Sequence, residues 1–169
     1  MSALVALLLQ LSILAYAILG GVFLAFSDFI MRSLAHTGGM GGVEAMQIIN
    51  REVFRWVFMA LFLGMAAVSV FVLIYGAINL TGGPRILIML GALLYLVGCF
   101  AVTIFFNVPM NETLAGMDLS ADAAQDYWTS TYLPRWTMWN TVRTLACTLA
   151  AAMMLFGVVW LTQSHNRLV

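Results

Sequence analysis

Hydropathy along the chain alternates between long apolar runs and short polar breaks. About 20 helical residues cross the roughly 30 Å hydrocarbon core of a bilayer. Four runs reach that length, at approximately residues 3–27, 54–80, 84–106 and 136–162. The first is too long for a signal peptide and lacks a basic start and a small-residue cleavage site, so it is expected to be retained. The pattern predicts an all-α polytopic membrane protein. Its fold is a four-transmembrane-helix bundle, read as a single integral membrane domain over residues 1–169.

The breaks are unequal. Gly82-Gly83-Pro84 predicts a tight turn between the second and third spans, with proline in the first helical turn. Residues 28–53 and 107–135 are longer and polar, and four spans place both on one side of the membrane. They are expected to form a helical extramembrane cap. VEAMQIINREVFRWVF meets the second span without a breaker, which predicts one helix over 43–80, about 57 Å long at 1.5 Å per residue. Ser120 is placed to cap a further helix, ADAAQDYWTSTY, and Pro134 to open the fourth span.

Composition supports lipid as the solvent. The chain is 63% hydrophobic and 8% charged, where a soluble domain carries about 25%. Seven Lys+Arg balance seven Asp+Glu, and zero net charge removes the basic stripe that nucleic acid needs. Cys99 and Cys147 lie in apolar runs and read as packing residues. All seven acids fall on the long-connection side, with Arg32, Arg51, Arg55, Arg135 and Arg143; Arg85 and Arg167 fall on the other. Counting arginines alone places the long connections in the cytoplasm. Several of these arginines are candidates for a site, however, and the acid-free termini suit the cytoplasm equally well. The expectation adopted is a multi-pass protein of the cell (inner) membrane with cytoplasmic termini. The oligomeric state is open.

In hydrocarbon an unpaired polar group costs several kcal/mol, so intramembrane polar residues face the bundle or a cavity. Gln10 and Ser12 are expected to bond between helices, and Asp28 and Arg32, at i and i+4, to pair on a helix surface. Thr103, Asn107 and Asn111 follow i, i+4, i+8 spacing and share a face on an unbroken helix. Pro109 lacks an N–H, clashes with the carbonyl of Phe105 and disfavours helical angles at Val108. The third helix is therefore expected to end or kink near Asn107. Two readings stay open: the carboxamides cap a broken helix, or they line a cavity. Asn111-Glu112-Thr113 also spells a glycosylation acceptor. In the fourth span Trp136, Asn140, Arg143, Thr144 and Cys147 form one stripe, and Trp139 is placed to stack on Arg143. Gln47, Asn50, Arg51 and Phe54 share a face of the cap helix.

Four elements stand in order: AMQIIN (45–50), TIFFNVPMNETLA (103–115), YW (127–128) and WTMWNTVR (136–143). The arrangement resembles the anthrone-oxygenase-like membrane family of small four-span proteins. Carried over residue by residue, its signature falls on Gln47, Asn50, Thr103, Asn107, Pro109, Asn111, Trp128, Trp136, Asn140 and Arg143.

The resemblance implies an oxidase or oxygenase acting on a lipophilic phenol or an anthrone-like polycycle. Such chemistry must hold a flat ring, take a proton and stabilise the oxyanion. Trp128, Trp136 and Trp139 are candidates for the ring platform, with Gln47, Asn50 and Thr103 as further substrate contacts. Arg143, Asn107, Asn111 and Asn140 are candidate donors to the developing charge. Glu112 is the candidate base, with Glu44 and Asp28 as alternatives. No metal-ligand set is evident in the sequence, so neither metal nor flavin is expected. The competing reading is a non-enzymatic membrane module for a lipid, quinone or partner protein, with the Asn/Trp/Arg cluster purely structural.

Overall fold

The computed structural model describes residues 2–55, 57–120 and 122–166; Arg167 lies outside them. These residues form an all-helical bundle: α1 (Ala3–Ala35), α2 (Gly41–Glu52), α3 (Val57–Asn79), α4 (Gly82–Ala115) and α5 (Asp122–Ser164). All but α2 are long and apolar enough to cross a membrane. The chain is a membrane protein with four candidate spans, as the hydropathy predicts.

α5 packs against α1 on one side and α4 on the other, and α3 closes the arrangement by packing against α4 and α1. The α4–α5 seam is tight because it is lined with small residues. A Cβ on Gly98 would stand 2.6 Å from Cβ of Ala146, and one on Gly91 2.9 Å from the Ala150 carbonyl oxygen. Close backbone approach of this kind drives helix association in lipid, where the hydrophobic effect between helices is absent. The interior is crossed by a hydrogen bond of 2.7 Å between the Tyr16 and Ser69 hydroxyls and one of 2.7 Å from Tyr95 to the Phe62 carbonyl. The expected interhelical bonds of Gln10 and Ser12 are not formed: Gln10 is exposed, and Ser12 donates to Leu8 of its own helix. The hydroxyls of tyrosine reach a neighbouring helix where the shorter serine folds back.

Three expected helix boundaries shift. The turn at Gly82 is as expected, with φ +68° at that glycine. The helix expected over 43–80 is two: the chain unwinds between α2 and α3 at Val53–Arg55, so α2 folds across the bundle end. α4 does not stop near Asn107. It widens into a π turn at Thr103–Asn107, where the Val108 N–H donates to the Thr103 carbonyl, and then continues as α-helix through Pro109 to Ala115. Val108 keeps helical angles, φ −60° and ψ −48°. Pro134 likewise does not open the fourth span. α5 runs through it after a π turn at Trp128–Tyr132, closed by Leu133 N–H to the Trp128 carbonyl. In both helices the proline stands two residues beyond a π turn. The added residue relieves the clash of the ring with the preceding turn and absorbs the missing donor.

α2 caps the long-connection end over a second apolar cluster of Met31, Val43, Met46, Leu114, Trp128, Tyr132 and Trp136. The Gln47 amide clasps the end of α4, donating to the carbonyls of Leu114 at 2.8 Å and Met117 at 3.3 Å. These are the acceptors a helix C-terminus leaves open. Between α4 and α5 the Asp118 carboxylate accepts the Ser120 N–H and hydroxyl, which hold its pKa below the usual carboxylate range. The Ser120 hydroxyl is thus turned back to Asp118.

Candidate functional site

Arg143 sits two turns into the apolar part of α5 and is 5% exposed. Its Nη2 donates to Asn140 Oδ1 at 2.6 Å and its Nη1 to Thr103 Oγ1 at 3.2 Å. The guanidinium lies 4.4 Å from the Phe23 ring centre and 5.2 Å from that of Trp136, an arrangement that supplies cation–π attraction of about 2 kcal/mol when desolvated. Its Nε–H has no partner. The two ion pairs among the described residues, Arg32–Asp28 and Arg55–Glu52, are both on the surface. A positive charge is therefore buried in an apolar bundle with no acidic counter-ion, at a cost of about 3 kcal/mol for a central arginine on insertion scales.

Asn140 aims the guanidinium. Its Nδ2 donates to the Phe23 carbonyl at 2.6 Å and to Ser27 Oγ at 2.7 Å, which leaves Oδ1 facing Arg143. The Phe23 carbonyl accepts the Phe26 N–H as well, where α1 passes into the π turn Phe26–Ile30.

Asn111 is oriented by the same logic. Its Oδ1 accepts from the Tyr132 hydroxyl and from Trp136 Nε1, each at 2.8 Å. Tyr132 in turn accepts from Asn50 Nδ2 at 3.2 Å. With its oxygen held by two donors on α5, the Asn111 NH2 meets no acceptor among the described residues. The asparagine of the possible glycosylation acceptor is thus tied into the bundle.

A cavity of about 280 Å³ joins these groups, near the lower end of the roughly 300–1,000 Å³ typical of small-molecule sites. Its polar lining is Asn50, Thr103, Asn111, Asn140 and Arg143; its walls include Phe23, Phe26, Phe58, Phe62 and Trp136. Among the described residues, no aspartate or glutamate lines it, and no cluster of three metal-ligating His, Cys, Asp or Glu occurs. The chamber is apolar and offers hydrogen-bond donors around a positive charge. That chemistry suits an aromatic molecule carrying one anionic oxygen.

The remaining expected residues lie elsewhere. The π turn splits the Thr103–Asn107–Asn111 stripe: Asn107 is outside the lining, donates to the Trp136 carbonyl at 3.3 Å, and keeps a buried, unpartnered Oδ1. Gln47 is in the cap clasp. Trp128 is buried in the cap cluster, stacked on Tyr132 at 5.3 Å. Trp139 stacks on Phe106 at 3.7 Å, not on Arg143. Glu112 and Glu44 are exposed, and Asp28 pairs with Arg32 as expected. Sequence reasoning missed Phe23, Ser27, Phe62 and Tyr132. Only Ser27, a polar residue closing the first apolar run, left a signal.

A protein-family model described as anthrone oxygenase matches residues 51–153, more than half of the chain. The chain belongs to the anthrone oxygenase family. The match runs from the end of α2 through most of α5 and includes Thr103, Asn111, Trp136, Asn140 and Arg143. Phe23 and Ser27 on α1 and Gln47 and Asn50 on α2 lie before the matched segment. No curated protein and no solved structure matches the chain.

Proposed function

We propose that this chain is a membrane-embedded, cofactor-independent oxidase or oxygenase of a lipophilic phenol or anthrone-like polycycle. The observation that carries the reading is the buried Arg143 guanidinium, without an acidic partner, at the wall of an aromatic cavity. The ring lies among Phe23, Phe58, Phe62 and Trp136, with its oxygen toward Arg143 and the Asn111 NH2. An anthrone that loses a ring-carbon proton places the charge on that oxygen, where both donors stabilise it. Glu112, Glu44 and Asp28 are outside the cavity, so the proton passes to water. The enolate carbon then bonds to one atom of O2, the far oxygen takes a proton, and loss of water leaves the second carbonyl of the quinone. One oxygen atom enters the product and the other leaves as water. Asn140 acts through Arg143 as a positioning residue, as do Tyr132, Trp136 and Asn50 through Asn111.

The test is oxygen uptake on dithranol by purified protein in lipid nanodiscs. Wild type is expected to exceed empty nanodiscs, and Arg143→Ala to lose about 10²–10³ in rate, as loss of an oxyanion donor does. Wild type no faster than empty discs, or Arg143→Ala as fast as wild type, overturns the proposal. A second reading, a non-enzymatic binding module, is favoured by a specific observation. Gln47, Asn107 and Asn140 all donate to backbone carbonyls of other helices, as interhelical fastenings do. It predicts binding without turnover, and melting of the bundle in Arg143→Ala.

A further inference from the structure

The cavity opens on one flank. Most of its lining is buried or half-buried, but Phe54, Leu63 and Ile104 are 62%, 51% and 43% exposed. Phe54 lies in the unwound link between α2 and α3, Leu63 in the second turn of α3, and Ile104 in the π turn of α4. Together they mark the seam between α3 and α4. Phe58 on α3 faces Phe23 of α1, and Phe62 faces Tyr95 and Phe100 of α4. Leu63 follows Phe62 by one residue, about 100° around the helix, and so stands outside the packed line. Arg143 and Asn140 are buried members of the lining, and α2, the cap, contributes Met46, Ile49 and Asn50 as a roof.

Leu63 and Ile104 belong to helices long and apolar enough to cross a membrane, and the portal reading sets this opening against acyl chain. An apolar rim facing lipid gives no barrier to a lipophile and a steep one to a charged or glycosylated group. The seam can widen because α3 is the least buried of the four spans and is joined to the cap through unwound backbone at Val53–Arg55.

We propose that the ligand enters and leaves from within the bilayer, through the α3–α4 seam beneath Phe54, Leu63 and Ile104, oxygen first. This rests on the donor-pocket reading above and adds a restriction on the substrate class. The ring edge opposite the reacting oxygen remains at the lipid-facing mouth, so it must be apolar. Free polycyclic phenols fit, and their glycosides and sulfates do not.

Stopped-flow absorbance of the dithranol anion in nanodiscs tests the route. Leu63→Trp and Ile104→Trp are expected to slow association and dissociation together, by about tenfold each, as an added gating step does. A dithranol glycoside is expected not to bind. Unchanged rates in both tryptophan variants, or faster entry in Gln47→Ala, which loosens the roof, would place the entrance on the aqueous side and overturn the portal alone. Absence of an Arg143-dependent anion signal in wild type overturns the donor pocket, and the portal with it. Should the tryptophan variants fail to fold, Ile104→Cys alkylated after folding with an N-alkyl maleimide serves instead. Cys99 and Cys147 are buried, so alkylated wild type is the control. Blocked exchange in the alkylated variant supports the portal, and free exchange overturns it.

Discussion

Arg143 is held by groups that share no single stretch of sequence. Its spacing from Asn140 is local, three residues along α5, and that pair was legible because both chemistries are costly in lipid. The Phe23 ring and carbonyl and the Ser27 hydroxyl come from α1, more than a hundred positions earlier, and no periodicity announces them. Glu112 adjoins Asn111 along the chain, but the helix phase turns it to the exposed face. The absence of an acid from the lining makes a substitution informative. Asn140→Asp keeps the shape and the 2.6 Å contact to Nη2 but supplies the missing counter-ion. It also loses the hydrogen bonds donated to Phe23 and Ser27 and turns a carboxylate oxygen toward the Phe23 carbonyl, so a loss of stability of about 2 kcal/mol is expected, at about 1 kcal/mol for each bond. Anion binding is expected to fall far more, because the pocket charge is neutralised. Thermal unfolding and dithranol anion absorbance, measured side by side, check this. Retention of wild-type affinity in Asn140→Asp would mean that the guanidinium charge is not what the ligand meets.

Among elements, the spans were legible from hydropathy because length and apolarity are nearly sufficient in lipid. The long helices were not, because Pro109 and Pro134 read as terminators. In water, proline in a helix interior costs about 3 kcal/mol. Inside this bundle each proline follows a π turn, and the neighbouring helices hold the chain straight enough to continue. The π turn is also what separates Asn107 from Thr103 and Asn111, since one added residue turns everything beyond it by about 100°. Pro109→Ala restores the N–H and removes the clash, so α4 is expected to relax to unbroken α-helix. Asn111 would then rotate away from Tyr132 and Trp136. The expected result is unchanged or higher thermal stability with activity on dithranol reduced at least about tenfold, the loss of an aligned donor being worth about 10²–10³. A variant that keeps its activity would show that the π turn is incidental to the site. Gly98→Leu probes the other requirement on α4, its close approach to Ala146, and is expected to cost about 1–3 kcal/mol by overpacking.

Over the whole molecule, three of the four spans exceed the bilayer. At 33, 34 and 43 residues, α1, α4 and α5 extend about 50 Å or more at 1.5 Å per residue, against a hydrocarbon core of roughly 30 Å. The Gly82 turn joins α3 to α4 within two residues, so the excess lies at the other end, where α2 lies across it and all seven acids are found. The site is therefore near the membrane boundary beneath a protein roof, close to water for proton release and open to lipid on its flank. Which compartment that end faces depends on few charges. Burial of Arg143 takes it out of the arginine count, which weakens the positive-inside case for cytoplasmic connections. The proposed orientation has the termini in the cytoplasm and the capped end outside. Single cysteines at Ser33 and Asp122, both exposed on the capped side, and at Thr81, exposed at the turn, test it in sealed vesicles with a membrane-impermeant maleimide. Ser33→Cys and Asp122→Cys are expected to react from outside in right-side-out vesicles, and Thr81→Cys only after inversion. The reverse pattern would place the cap in the cytoplasm and leave the fold intact; Ser33→Cys and Asp122→Cys reacting from opposite faces would contradict the bundle itself.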